Sequence, residues 1–245
     1  GTIFFSGCNL KCIYCQNYEI SKGCTGKSLT KSEFQSLVLK TAHSGVHNVN
    51  LVTPTHFTSA LKEALSEIKA DIPVPIVWNS SGYETRESIL SLSETVDVFL
   101  CDVKYFSDAL ALEYSNAENY FKTAQEALLE MIKITGKPKL SSDGILKKGV
   151  IVRHLVLPGT KDDSLRVLEG LIPFKNDILL SLMCQYTPTP NVENHRLLSR
   201  RTTSLEYSRV VDFARECGFD GYIQEKSSAK KDYTPDFTEE WDFLP

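Results

Sequence analysis

The sequence predicts an α/β fold in which parallel strands are covered by outer helices, as an incomplete barrel of six strand-helix units or as an open doubly wound sheet. Three observations predict it. Short apolar runs alternate with helical patterns six times along the 245 residues. Those runs are rich in Val, Ile and Leu without strict alternation, as in strands buried on both faces. No linker divides the chain convincingly, so the units are read as one domain over 1–226, followed by a polar tail at 227–245.

The first unit opens on a strand-like run at 2–6 and a cysteine-rich loop. Thr30 and Glu33 then have capping-box spacing, and Phe34, Leu37 and Val38 recur at helical intervals until Gly45, which predicts a helix over 31–44. The run Val49-Asn-Leu-Val52 is a second strand, closed by Thr53-Pro54-Thr55 and followed by a helix with Leu61, Leu65 and Ile68 on one side. The pattern repeats as strand 75–79 with a helix near 84–93, strand 96–103 with helical residues between 107 and 135, and strand 150–157 with helix 163–173. A sixth strand at 178–183 leads through a loop at 187–203 to a helix near 203–217. The tail from 227 reads as an extended strap or a partly disordered segment.

A net charge of −4 provides no basic footprint, so no nucleic-acid partner is expected. No stretch nears the roughly 18 uninterrupted apolar residues that cross a bilayer; the most apolar run, 150–157, is broken by Arg153 and His154. Nothing reads as a signal peptide. The seven cysteines are odd in number, and Cys24, Cys101, Cys184 and Cys217 are scattered, unlike a secreted disulfide framework. A reducing cytoplasm is the expected location, with no membrane partner. Residue 1 is Gly rather than Met and the first strand begins at once, which leaves room for a natural segment ahead of it.

Cys8, Cys12 and Cys15 lie in the run Ser6-Gly-Cys-Asn-Leu-Lys-Cys-Ile-Tyr-Cys-Gln-Asn17. Three thiolates can clamp one soft metal centre, yet a tetrahedral zinc or a fully protein-ligated iron-sulfur cube wants four ligands, so one coordination position is left over. The alternative is a zinc site completed by Cys24, or a ferredoxin-like cluster with four protein ligands. Zinc knuckles usually pair their cysteines as two separated Cys-x-x-Cys units, which this chain lacks. The Cys-x-x-x-Cys-x-x-Cys spacing, with an aromatic before its last cysteine and a strand before the loop, resembles the cluster loop of radical S-adenosylmethionine (SAM) enzymes. That resemblance implies that Cys8, Cys12 and Cys15 hold three irons of a 4Fe-4S cluster, and that the fourth iron takes the amino and carboxylate groups of SAM. It also implies the six-unit partial barrel rather than the doubly wound sheet.

Ligands of such folds bind beyond the carboxyl ends of the strands. The polar residues there are Thr53, Thr55, Asn79, Ser80, Ser81, Asp102, Lys104, Gln185 and Tyr186, with Arg153 inside the fifth strand. Toward an amino-acid-bearing cofactor, Lys104 and Arg153 suit the carboxylate, Arg bidentately. Thr53 can accept from the ammonium, and Asn79 and Asp102 can bind hydroxyls or the amino group. Tyr14 and Met183 can pack the adenine faces. The plainer alternatives are that Asp102 and Lys104, two apart on one strand face, form only an ion pair, and that His56 and His154 are ordinary hydrogen-bonded residues. Cys101 and Cys184 read as small hydrophobes. Arg153 in an apolar strand resists such a reading, because an unpaired buried charge is costly.

Nearly end to end, the chain resembles the pyruvate formate-lyase activating enzymes and, more closely, the PflX-like group. The resemblance rests on residues 1–21, Leu51-Val-Thr-Pro-Thr-His56, Asn79-Ser-Ser-Gly-Tyr83, Asp102-Val-Lys104, Val152-Arg-His-Leu-Val-Leu-Pro-Gly159 and Ser181-Leu-Met-Cys-Gln-Tyr186. It implies that Asn17 follows the cluster loop as in those enzymes, that Asp102 and Lys104 contact SAM, and that Arg153 lies near its methionyl part. Tyr186 stands where they carry a ribose-binding His. Two departures are visible: Thr53-Pro54-Thr55 replaces the Gly-Gly-Glu turn that holds the SAM ammonium, and Asn79 replaces an aspartate linked to a monovalent cation site.

The resemblance therefore implies reductive cleavage of SAM to methionine and a 5′-deoxyadenosyl radical, which takes hydrogen from a glycine of a glycyl radical enzyme or from another peptide or metabolite. A flavodoxin- or ferredoxin-type electron donor is the implied partner, and no side chain need act as acid or base. Rival classes are a lyase using Lys104 as a Schiff-base amine and a zinc-stabilised binding module.

Overall fold

The computed structural model describes residues 1–23 and 25–224, so Cys24 and the tail at 227–245 lie outside the described residues. Strands β1 (Thr2–Phe4), β2 (Val49–Val52), β3 (Ile76–Ser80), β4 (Val98–Asp102), β6 (Leu146–Leu155), β7 (Leu179–Met183) and β8 (Gly221–Ile223) pair in that order, all parallel, and β5 (Lys139–Leu140) lies antiparallel on β6. The order never reverses. A doubly wound sheet turns back on itself at a switch point, whereas here each crossover advances one strand in the same direction, as in a barrel. Among the described residues the terminal strands β1 and β8 do not pair with each other, so the barrel is open.

Helices α1 (Tyr18–Gly23), α2 (Lys31–Ala42), α3 (Thr58–Ile68), α4 (Arg86–Leu90), α5 (Asp108–Ser115), α6 (Tyr120–Thr135), α7 (Lys161–Leu171) and α8 (Ser204–Glu216) make the connections. The expected capping box starts α2: Thr30 accepts from the Glu33 amide, and the Thr30 amide donates to Glu33 Oε2 at 2.7 Å. Thr203 and Glu206 build the same device at α8.

Alternation along β6 shows how the strand positions the site. Val150, Val152 and His154 are buried against the outer layer, while Ile151, Arg153 and Leu155 turn to the other, half-buried face. The outer faces of the strands join α2, α3, α6, α7 and α8 in one core that includes Val38, Leu51, Leu65, Trp78, Leu128, Val152 and Val210. Burying each such side chain contributes roughly 1.5–3 kcal/mol, so this layer, the larger of the two buried clusters, is the main source of hydrophobic stabilisation.

Several expected boundaries are corrected. The helical stretch 107–135 is two helices, because Asn116 and Asn119 both adopt φ of 51° and break the run; asparagine tolerates the left-handed region better than most residues. The fifth predicted strand begins at Leu146 rather than 150 and carries a hairpin partner, β5. Gly149 makes that hairpin possible: its φ is +140°, and a Cβ there would meet Pro138 Cα at 2.8 Å. The helix near 84–93 is shorter, Arg86–Leu90. Strand β8 and helix α1 add to the six units, being too short to show a period in sequence.

Candidate active site at the carboxyl ends of the strands

The cysteine loop leaves β1 and folds over the carboxyl ends of the strands. Gly7 N donates to Ile20 O at 2.9 Å, which closes the loop onto α1. Lys11 N and Ile13 N donate to Ser115 O and Tyr114 O at 3.0 and 2.9 Å, so the last turn of α5 grips the backbone on both sides of Cys12. Asn9 Nδ2 donates to Tyr83 O at 2.6 Å and Gln16 Nε2 to Gln185 O at 3.1 Å, tying the loop to the segments after β3 and β7. Carbonyls near a helix end have no partner within the helix, and here two of them hold the loop.

All three cysteines are half-buried free thiols. Cys12 Sγ lies 3.0 Å from Ser115 Oγ, and Cys15 Sγ lies 3.4 Å from Ser21 Oγ. Burial raises the Cys8 and Cys12 thiols above their ordinary range, and Lys104 opposes that rise at both. Thiols so placed are not spontaneously thiolates; a bound cation must drive the proton off. Among the described residues no three His, Cys, Asp or Glu side chains already close into a metal cage. The donor set itself, three thiols on one short loop, fits an iron-sulfur cluster that takes three protein sulfurs.

Beneath the loop lies a charged network. Arg153 Nε donates to Asp102 Oδ1 at 2.8 Å, Arg153 Nη2 to Asn79 Oδ1 at 2.7 Å and Lys104 Nζ to Asp102 Oδ2 at 2.6 Å. Register explains it: Asp102 and Arg153 are direct partners on β4 and β6. Desolvation pushes the Asp102 carboxyl up, but Arg153 and Lys104 together outweigh it and hold it below the usual carboxylate range. Desolvation likewise favours neutral Lys104, yet Asp102 wins and raises it above an ordinary lysine. Two cations against one carboxylate leave this network one positive charge in excess, which suits a carboxylate-bearing ligand.

A cavity of about 190 Å³ opens between loop and network, lined by Cys12, Tyr14, Cys15, Gln16, Asn17, Asp102, Lys104, Leu155 and Tyr186. Of the residues expected to serve a cofactor, Tyr14, Asn17, Asp102, Lys104 and Tyr186 line it directly, Arg153 joins it through Asp102, and Asn79 through Arg153. Cys8, Thr53 and Met183 are not among its lining residues. Met183 ends β7 in register with Leu155. Thr53 follows β2 with φ of 60°, an uncommon conformation for a β-branched residue, and its amide donates to Asn79 O at 2.9 Å. Two hydroxyls are already engaged: Tyr186 donates to Leu198 O at 2.6 Å, and Tyr14 pairs with Tyr105 at 2.6 Å. Both hydroxyls of these lining residues therefore already have a protein partner. His56 and His154 are hydrogen-bonded to Ser6 O and Val103 O, each at 2.7 Å.

Sequence reasoning missed four contributors. Ser115 and Tyr105 support Cys12, Asn9 anchors the loop, and Glu84 organises the turns after β2 and β3. Glu84 is buried, which raises its carboxyl, and it accepts from Trp78 Nε1 at 2.9 Å, Ser80 Oγ at 2.6 Å and Thr55 Oγ1 at 3.0 Å. Gly82, at φ +75°, lets the β3–α4 turn lie on β4, since a Cβ there would collide with Asp102 O. Only the Asn-Ser-Ser-Gly-Tyr-Glu string hinted at such a turn.

Solved structures share this fold. SuiB of Streptococcus suis with bound S-adenosylmethionine superposes with a TM-score of 0.61 at 10% identity, over 91% of this chain and 50% of that one. A spore photoproduct lyase variant with bound AdoMet and dinucleoside spore photoproduct reaches 0.62 at 12% identity, over 91% and 76%. A domain of pyruvate-formate lyase-activating enzyme from Bacteroides vulgatus reaches 0.50 at 10% identity, over 70% and 94%. In sequence, the chain is 29% identical over 228 residues to the uncharacterized protein MJ0674 of Methanocaldococcus jannaschii, covering 89% of this chain and 63% of that protein. It thus spans less than two thirds of that relative and half of SuiB. The model of the radical SAM superfamily matches residues 2–171. With a cysteine loop and a cationic network facing one cavity inside an open parallel barrel, the chain belongs to the radical SAM superfamily.

Proposed function

We propose that the protein cleaves SAM reductively and directs the resulting radical to a glycine Cα of a partner glycyl radical enzyme, taking its electron from a flavodoxin or ferredoxin. The observation that carries the chemistry is the convergence of the three-cysteine loop and the Asn79-Asp102-Lys104-Arg153 network on one cavity. When bound, a 4Fe-4S cluster and SAM supply one-electron cleavage of a carbon-sulfur bond, giving methionine and a 5′-deoxyadenosyl radical. Cys8, Cys12 and Cys15 would hold the cluster. Lys104 and Arg153 would meet the carboxylate of SAM, Asp102 and Asn79 would hold those cations in place, and the rings of Tyr14 and Tyr186 would wall the cavity against water. No side chain is asked to move a proton.

The substrate assignment is supported by the motif resemblance to activating enzymes and by the β1 and β8 edges, which do not pair with each other among the described residues and so leave the barrel open on one side, where a partner's loop can enter. The Schiff-base reading is disfavoured by Lys104 itself, since an amine nucleophile needs a lowered pKa and Asp102 raises this one.

The test is anaerobic reconstitution with iron and sulfide, reduction by dithionite, addition of SAM and quantification of 5′-deoxyadenosine. Wild type is expected to form it and Cys12→Ala to form none. A wild-type protein that binds iron and SAM yet yields no 5′-deoxyadenosine would defeat the chemical reading. A glycyl radical signal on a co-incubated partner supports the substrate; its absence alongside modification of another peptide or metabolite replaces it.

A further inference from the structure

Cys12 is the end of a buried chain of hydroxyls that none of the proposed chemistry uses. Its Sγ lies 3.0 Å from Ser115 Oγ, Ser115 Oγ lies 2.6 Å from Tyr105 Oη, and Tyr105 Oη lies 2.6 Å from Tyr14 Oη. Ser115 and Tyr105 are almost fully buried and Tyr14 nearly so. Each hydroxyl has one hydrogen to give. A metal-bound thiolate has none and can only accept. Once Cys12 is a ligand, the direction of the chain is therefore set: Ser115 donates to sulfur, Tyr105 to Ser115, and Tyr14 to Tyr105. Hydrogen bonds aligned head to tail polarise one another, so the bond to sulfur is stronger than that of an isolated serine.

We propose that Ser115, aligned by Tyr105 and Tyr14, is a positioning residue that donates to the Cys12 sulfur and sets the cluster's reduction potential. This rests on the reading of Cys8, Cys12 and Cys15 as cluster ligands. A hydrogen bond to a ligand sulfur withdraws electron density and stabilises the reduced, more negative state, which raises the potential. The backbone geometry adds a second argument, because Lys11 N and Ile13 N bond to Ser115 O and Tyr114 O on either side of Cys12 and hold sulfur and hydroxyl in register. Asn9 bonds from its own loop to the β3–α4 turn, and Cys15 meets Ser21 of α1 at 3.4 Å, longer than the Cys12 contact. Cys12 is thus the ligand whose sulfur faces a relay supported from outside the loop.

The test is redox titration of the reconstituted protein, followed by electron paramagnetic resonance of the reduced cluster, with iron content measured in parallel. Ser115→Ala is expected to lower the reduced-to-oxidised ratio at a fixed potential roughly tenfold, about 59 mV for one electron, at unchanged iron content. Ser115→Thr, which keeps a hydroxyl, is expected to restore the wild-type potential. Tyr105→Phe removes the donor behind Ser115, and with it the acceptor of Tyr14, and is expected to shift the potential the same way by less. Equal potentials in wild type, Ser115→Ala and Tyr105→Phe, each with full iron, overturn the proposal and leave the SAM chemistry standing. If Ser115→Ala fails to fold, Tyr105→Phe decides alone: a lowered potential supports the relay, an unchanged one overturns it. A wild-type protein that loads no cluster overturns both this and the reading beneath it.

Discussion

Two packed regions of this chain use bulky side chains for different ends. The larger lies between the strands and the outer helices and is mostly aliphatic, with Val38, Leu51, Leu65, Leu128 and Val152 fully buried. The smaller lies under the cysteine loop and is built on Tyr14, Tyr105, Tyr114, Tyr120 and Tyr186. In the first, attraction is non-directional and scales with area removed from water. In the second, hydroxyls are tied to named partners: Tyr14 to Tyr105, Tyr105 to Ser115, Tyr120 to Ser81 O at 2.7 Å and Tyr186 to Leu198 O. Aliphatic packing holds the sheet without specifying any atom to a fraction of an ångström. Tyrosines add a direction, and the loop that carries the three cysteines is held by such directed contacts.

The difference is open to direct attack. Leu65→Ala or Leu128→Ala, deleting fully buried side chains, should cost about 2–5 kcal/mol in denaturant unfolding. The 5′-deoxyadenosine formed per folded molecule should stay at the wild-type level. A core truncation that abolished product while the protein remained folded would erase the distinction between the regions.

Asp102→Asn should be the next largest, about 1–3 kcal/mol, because it strips two cations of their carboxylate. Its pH dependence follows from the lowered folded-state pKa. The stabilisation from ionised Asp102 is fully present above the unfolded value, about 3.9, and is lost as pH falls through the lower folded value. Wild type should therefore lose stability more steeply than Asp102→Asn below about pH 4, measured by urea midpoints across an acid series.

Tyr186→Phe keeps the ring and removes only the bond to Leu198 O, so about 0.5–1.5 kcal/mol is expected. A comparably small core change, Leu128→Met, should fall in the same range of stability, below about 1.5 kcal/mol. Paired thermal melts and product assays would sharpen the contrast: only the tyrosine variant should also change SAM turnover. Leu205→Ala, on α8 with 70% exposure, should move stability by less than about 0.5 kcal/mol and serves as the reference for both regions.

Much of the fold was legible in the chain. The apolar runs that became β2, β3, β4, β6 and β7 stand out because helices cover their outer face and the barrel interior takes up most of the other, so few of their positions are polar. Thr30 and Glu33 announced α2 because a cap is made within four residues. Less legible were the break at Asn116 and Asn119, which rests on two left-handed residues, and the short β8, whose pairing depends on β7 being in place. In the site, Asp102 and Lys104 were found as a pair because they share a strand face, but their closure with Arg153 and Asn79 is a matter of register across three strands.

By itself the sequence determined the candidate donor set and the order of units: the spacing of Cys8, Cys12 and Cys15 is local, and so is the alternation of strand and helix. What only the tertiary structure decided is which groups stand behind those donors. Ser115 meets Cys12 across 103 residues of chain and Arg153 meets Asn79 across 74. Neither pairing leaves a periodic trace, since a contact formed by the curling of a sheet depends on register and crossover length rather than on the identity of neighbouring residues.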